Sequence, residues 1–271
     1  MMRSLWTAAS GMISQQTNID TISNNIANIN TTGYKKETTE FKTLLYQTIQ
    51  DVSTDSTGAE KPVGIQVGLG VRNSAITSQY KQGPMQETGN DFDFAIQGKG
   101  FFMVQLEEGS TAYTRNGSFS ASIGVGGTTI ADSEGRPLLD STGQPITLDS
   151  TYNTADITID TTGNICYPDA SGNPQPIGIK IGLAQFNNPA GLEKLSSSLL
   201  KVTGASGEAI LESQADGVSV STVKQGYLEG SNVQAVDEMV NMIVAQRAYE
   251  MNSKAITASD EMLQQANNLR R

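Results

Sequence analysis

Both ends of this chain carry an apolar residue at every seventh position, and no other feature restricts its fold as much. Near the N-terminus Leu5, Met12, Ile19 and Ile26 step by seven, with Ile22 and Ile29 three residues after the last two. This is the a/d seam of a helix that packs against another helix. Its d half is softer at first, where Ala8 and Gln15 stand. Thr31-Thr32-Gly33 supplies poor helix formers and then a glycine suited to a left-handed cap, so the spacing predicts a helix ending near Asn30. At the far end Ala235, Met242, Tyr249, Ile256 and Leu263 repeat the step, flanked by Val236, Met239, Ile243, Ala245 and Ala266. Ser231-Asn232-Val233-Gln234 reads as a capping box that opens this helix. Two terminal helices of about 27 and 37 residues therefore bracket everything else.

Such a stripe needs a cover. Full burial of the six N-terminal seam residues is worth about 9–18 kcal/mol. Ordering the backbone costs about 1–2 kcal/mol per residue before helix hydrogen bonds offset part of it. The cover is either a core the helices share with the middle of the chain, or the other terminal helix together with neighbouring copies. Charge bears on the choice. Residues 1–42 hold Arg3, Lys35, Lys36 and Lys42 against Asp20, Glu37 and Glu40, and residues 230–271 are similarly balanced, so the net charge of −10 belongs to residues 43–229. Near-neutral ends can pack on copies of themselves while an acidic middle stays solvated.

Between the helices the periodicity changes. Phe92–Ile96 and Gly100–Leu106 are β-prone runs, and Asn116-Gly117 between Tyr113-Thr114-Arg115 and Ser118-Phe119-Ser120 is a strong hairpin signal. Asp-x-x-Gly recurs at Asp55–Gly58, Asp132–Gly135, Asp140–Gly143, Asp160–Gly163 and Asp169–Gly172, suited to type I turns. The fold class that follows is α+β: long N- and C-terminal helices forming a coiled-coil-like layer, with an all-β middle built as a small sandwich or barrel.

Composition removes most chemistries. With no histidine there is no Ser-His-Asp triad and no His-ligated metal, and a single cysteine, Cys166, allows neither an internal disulfide nor a Cys cluster. Cys166 reads as a small buried hydrophobe. The net negative charge argues against nucleic-acid binding. Gly98-Lys99-Gly100 lacks the rest of a dinucleotide fingerprint. The Asp-x-x-Gly turns lack the ligand spacing of a calcium loop. Neither a cofactor nor a metal is expected. No run approaches the roughly 18 apolar residues of a membrane span, and Met1–Gly11 contains no apolar stretch like a cleavable secretory signal. Paired carboxylates remain open, so a secreted β-rich carbohydrate-active enzyme or adhesin is the alternative from another class.

A longer resemblance runs through the chain. Asn24-Asn25-Ile26-Ala27-Asn28-Ile29-Asn30-Thr31-Thr32-Gly33-Tyr34-Lys35 resembles the N-terminal signature of the bacterial flagellar rod, hook and hook-associated axial proteins. Glu238–Ile243 and Gln246–Ile256 are similar to the C-terminal signature of the same family. Thr88-Gly89-Asn90, Phe94–Phe102 and Tyr113–Phe119 match its interior. Arg3-Ser4-Leu5-Trp6 and Phe41–Ile49 look most like the distal-rod branch, with proximal rod and hook subunits as siblings; Ala121–Pro137 is the least typical stretch.

The resemblance implies a subunit exported without a cleaved signal through the flagellar type III apparatus. It implies polymerisation into a hollow helical drive shaft, with helices inside and β domains outside. Its partners would be copies of itself, proximal rod and hook subunits, and surrounding ring proteins. Residues 1–45 and 230–271 would form the terminal helical domain and 93–182 the β domain. Residues 46–92 and 183–229 would connect them, and Tyr46–Gly70 resembles the region tied to rod stiffness. The polymer interface would comprise Leu5, Met12, Ile19, Ile22, Ile26, Ile29, Met239, Met242, Ile243, Tyr249, Ile256 and Leu263. Asn24, Asn25 and Asn28 would either fix helix register through buried hydrogen bonds or face water.

Overall fold

The computed structural model describes residues 2–50, 64–124, 127–149, 152–169, 172–196, 198–214, 217 and 219–268. The chain is α+β, with a long helix at each end and a β-rich middle, and it forms two compact units. One unit holds residues 1–27, 37–78 and 234–271; the other holds 28–36 and 79–233.

The first unit contains helices α1 (Met2–Ala27) and α2 (Ala235–Asn268). Its strands are β1 (Glu37–Thr43), β2 (Tyr46–Gln50), β3 (Ile65–Gly68) and β4 (Val71–Ser78). Strand β1 pairs antiparallel with β4, and β2 with β3, as two separate ribbons. The β2–β3 ribbon leaves Tyr46, Ile49 and Ile65 exposed. The Asp55–Gly58 turn lies outside the described residues.

Both helix boundaries differ from expectation. Helix α1 stops at Ala27 rather than near Asn30. Asn28 accepts from the Thr31 hydroxyl at 3.1 Å and its carbonyl from the Thr31 N–H at 3.2 Å, a local turn that competes with the helix. The capping box does not form. The Ser231 hydroxyl accepts from the Val233 N–H at 3.3 Å, while the helix opens at Ala235 with the Gln234 carbonyl accepting from Glu238. Asp237 and Glu238 in the first turn complement the positive end of the helix dipole.

The second unit carries the remaining strands. They are β5 (Met85–Glu87), β6 (Phe94–Gln97), β7 (Phe101–Gln105), β8 (Thr111–Thr114), β9 (Phe119–Gly124) and β10 (Gly127–Asp132). Next come β11 (Thr147–Leu148), β12 (Thr158–Ile159), β13 (Asn164–Pro168), β14 (Pro174–Lys180) and β15 (Leu183–Gln185). The chain closes the unit with β16 (Glu193–Lys194), β17 (Leu199–Lys201), β18 (Ile210–Leu211), β19 (Thr222–Gln225) and β20 (Tyr227–Glu229). A six-stranded antiparallel sheet has the order β16-β17-β8-β7-β15-β18. Three-stranded sheets β11-β10-β9 and β12-β13-β14 and the pairs β19-β6 and β20-β5 complete it. Residues 183–229, expected as a returning connection, thus supply four of the six strands of the largest sheet.

Strand β7 explains why this unit shows no simple alternation. Phe102 and Val104 enter one apolar cluster with Phe94, Ile130, Leu138 and Ile181, whereas Phe101 and Met103 enter another with Tyr113, Leu139 and Phe186. Successive side chains point to opposite faces, and both faces of this strand are covered. Asn116-Gly117 is not a hairpin. Strand β8 pairs with β7 and β17, β9 pairs with β10, and the dipeptide turns the chain from one sheet to the next. A two-residue type I′ turn needs positive φ at both residues, and neither has it. Gly117 is required for another reason: its carbonyl accepts from the Phe94 N–H at 2.9 Å, and a Cβ there would overlap the Phe94 carbonyl oxygen. The Asp-x-x-Gly turns at Asp132, Asp140 and Asp160 form as expected, each glycine donating to its aspartate carbonyl at 2.8–3.1 Å with φ near +80°, and Gly172 donates to the Asp169 carbonyl at 2.7 Å across residues that are not among those described. Cys166 is buried in β13, and burial raises its thiol pKa.

A buried ion cluster also lies within this unit. Lys35 Nζ meets Glu229 Oε1 at 2.5 Å, and Arg115 Nη1 meets Glu229 Oε2 at 3.1 Å. Lys35 also donates to the Lys81 carbonyl at 2.8 Å and Arg115 to the Gly98 carbonyl at 2.7 Å; the Arg115 guanidinium stands 5.0 Å from the Phe101 ring centre. Lys35 therefore anchors residues 28–36 in the β unit rather than in the helical domain assigned to 1–45. Gly33 (φ +70°) lies so close to the Arg115–Asn116 peptide that a Cβ would come within 2.7 Å of its backbone.

Candidate assembly surface on the terminal helices

Three side-chain meetings define how α1 and α2 pair. Ser4 Oγ lies 3.3 Å from Ser259 Oγ. Gly11 faces Asn252, whose Nδ2 would lie 2.8 Å from a Cβ on the glycine. Asn25 Nδ2 donates to Glu238 Oε2 at 3.2 Å. Moving up α1 by seven or fourteen residues moves down α2 by the same number, so the pair is antiparallel. The same register sets Asn18 opposite buried Ala245.

The contact line is made of small and polar residues. On α1 it is Ser4, Gly11, Asn18 and Asn25; on α2 it is Glu238, Ala245, Asn252 and Ser259. The apolar heptad on α1 runs one residue to the side of it, so Leu5, Met12, Ile19 and Ile26 are half-buried, while Ala8 and Ile22 are buried. On α2, Met242, Ile256 and Leu263 are half-buried, and Tyr249 is exposed. Met239 and Ile243 are 53% and 57% exposed. Ile29 is half-buried and belongs to the β unit.

The three asparagines part company. Asn25 is 1% exposed and accepts from the Glu37 N–H at 2.9 Å while donating to the Glu37 carbonyl at 2.8 Å. It therefore pins β1 to α1 as well as meeting α2. Asn24 is exposed, and Asn28 makes the turn after the helix.

Two sets of residues escape an apolar-heptad template. The first is the polar contact line, which keeps the seven-residue step but in Ser, Gly, Asn and Glu. The second completes an exposed apolar face on α2, where Val240, Val244 and Met251 join Val236 and Ile243, which already flank the heptad, accompanied on α1 by Trp6 and Ile13. These five α2 positions follow a helical spacing of four, three, one and seven, a signal readable as a second stripe beside the first.

The glycine in the contact line carries a prediction. Gly11→Leu drives an extra side chain against Asn252, where overpacking costs about 1–3 kcal/mol and exceeds the roughly 1 kcal/mol of helix propensity gained. Helical circular dichroism on heating should show the first unit melting earlier; an unchanged melt would remove the close approach from the account.

The chain is thus a β-rich middle between two terminal helices that carry exposed apolar side chains, and comparison with known families bears on the class of protein this defines. Residues 5–35 match the family described as flagella basal body rod protein, 95–167 the flagellar hook protein FlgE/F/G D1 domain, and 224–269 the flagellar basal body rod FlgEFG protein C-terminal family. The chain is 44% identical to the flagellar basal-body rod protein FlgG of Borreliella burgdorferi and 38% identical to that of Bacillus subtilis, covering all of both chains in each case. It is 31% identical to the flagellar hook-basal body complex protein FlhP of Bacillus subtilis, again over the whole of both chains. The chain belongs to the FlgG family of flagellar basal-body rod proteins.

Proposed function

We propose that this protein is a structural, non-catalytic subunit of the flagellar distal rod, assembling with copies of itself into a stiff hollow shaft that carries motor torque to the hook. The observation that carries this reading is the exposed apolar face Val236, Val240, Ile243, Val244 and Met251 on α2, left open by a helix pair that zips through polar residues. Burying such a face is worth about 1.5–3 kcal/mol per large side chain, and a neighbouring copy supplies the cover. Balanced charge at both ends lets copies approach without strong repulsion.

On this reading the terminal helices form a coiled-coil inner layer of the rod. Leu5, Met12, Ile19, Ile22, Ile26, Met239, Met242, Ile243, Tyr249, Ile256 and Leu263 lie at or beside contacts between copies, while Asn25 fixes the pairing within one copy. The β unit forms the outer layer, and the ribbon between Tyr46 and Gly70 contributes stiffness. Proximal rod and hook subunits cap the two ends of the shaft, ring proteins surround it, and the type III apparatus exports the chain. No helix among the described residues is long and apolar enough to cross a membrane.

The test is sedimentation velocity over a concentration series, with electron micrographs of the large species. Rods growing with concentration from the full chain are the expected result. Compact monomers at every concentration would overturn the reading.

A further inference from the structure

The β unit is entered and left at four points along the chain, after residues 27, 36, 78 and 233. One side chain ties three of these points together. Asn232 Oδ1 accepts from the Lys36 N–H at 2.7 Å, while Nδ2 donates to the Gln79 carbonyl at 2.8 Å and the Lys81 carbonyl at 3.2 Å. Backbone bonds join the same three segments: Gln79 N–H to Lys36 O at 2.8 Å, Asn232 N–H to Tyr34 O at 3.4 Å, and Gly230 N–H to Pro84 O at 2.8 Å. Three residues back, Glu229 repeats the pattern. Its carboxylate takes Lys35 from the first segment and the Gly83 N–H (2.9 Å) from the second, and its own carbonyl takes the Gly33 N–H at 2.8 Å.

We propose that Asn232 and Glu229 form a clasp that makes three chain exits of the β unit into one cooperative structure, so that load reaching any one strand is shared by all three. Three independent single-strand tethers would each pivot about their own backbone dihedrals. Cross-bonded strands have no such freedom, because turning one breaks the hydrogen bonds of the other two. Both residues are positioning residues. Asn232 is the one that bridges directly, and it does so without charge, so its removal strands no ion. This property belongs to the single chain and holds whether or not the helices polymerise.

Hydrogen exchange on the full chain, below the concentration at which it assembles, tests it. In Asn232→Ala the Lys36 amide loses its acceptor and should exchange about ten- to a hundredfold faster, from three hydrogen bonds worth about 1 kcal/mol each. The decisive amides are Gln79 and Gly230, which Asn232 does not accept from. A clasp requires both to speed up together with Lys36, while the β7 amides of Phe101–Gln105 stay protected. Acceleration of Lys36 alone would overturn the proposal, and so would an equal rise throughout the β unit. Glu229→Gln should extend the faster exchange to Gly33 and Gly83. If that variant fails to fold, Asn232→Ala decides by itself.

Discussion

Ile243→Asp is expected to abolish rod assembly while leaving the single chain folded. Ile243 lies in the exposed face of α2, 57% exposed, so a carboxylate there remains hydrated in the monomer. Surface changes of this kind move stability by about 0.5 kcal/mol or less. In a polymer the same position is covered. Each contact then loses the roughly 1.5–3 kcal/mol of the buried isoleucine and must desolvate an unpaired charge, at a cost of several kcal/mol more. At 1.4 kcal/mol per decade, association weakens about a thousandfold or more, and the loss recurs at every subunit. Sedimentation and micrographs should show monomers with wild-type circular dichroism. Normal rods from this variant would sink the assignment of that face. Ile26→Asp is a less clean probe, since Ile26 is half-buried within the chain and its loss disturbs folding and assembly together.

Glu229→Gln should be the most damaging conservative change in the β unit. The side chains of Lys35, Arg115 and Glu229 are 5%, 4% and 1% exposed, so the amide deprives two buried cations of the carboxylate they share. Breaking a buried pair in this way costs about 3–5 kcal/mol. For a unit of this size that amounts to a fall in Tm of roughly 6–20 °C. Lys35→Met should be milder, because it removes one desolvated cation and leaves Arg115 paired with Glu229.

Lys35→Met also separates from the wild type by pH. Burial lowers the Lys35 pKa below its ordinary 10.5, outweighing the opposing pull of Glu229. The folded chain therefore gives up this proton before the unfolded chain does. Below the folded pKa, Lys35 is charged in both states and its contribution is unfavourable and flat. As pH rises from the folded pKa towards 10.5, the unfolded state binds more protons and stability from this group increases. Denaturant titrations at successive alkaline pH values should show that gain in the wild type and not in Lys35→Met. Equal slopes in the two proteins would place Lys35 outside the buried cluster.

Much of this was legible from local chemistry. The terminal helices follow from apolar residues at every seventh position, and the Asp-x-x-Gly turns from the one residue that tolerates φ near +80° at the fourth place. Family membership was legible because long signature runs surround those features. Helix ends were less so, since Asn28 and Ser231 bond to their own neighbours and compete with the helix for the same donors.

What the sequence determined by itself was which segments are helical, where the tight turns fall and what chemistry is impossible, because these depend on neighbours within a few residues and on which side chains exist at all. The tertiary structure alone decided which line of each helix faces its partner. The half-buried apolar heptad and the polar line beside it have the same period, and only the meetings Ser4–Ser259, Gly11–Asn252 and Asn25–Glu238 choose between them. It alone also showed that Asn116-Gly117 joins two sheets, since strand pairing is set by partners far away in sequence. Glu229, nearly two hundred residues after Lys35, likewise gathers charges that no local pattern connects.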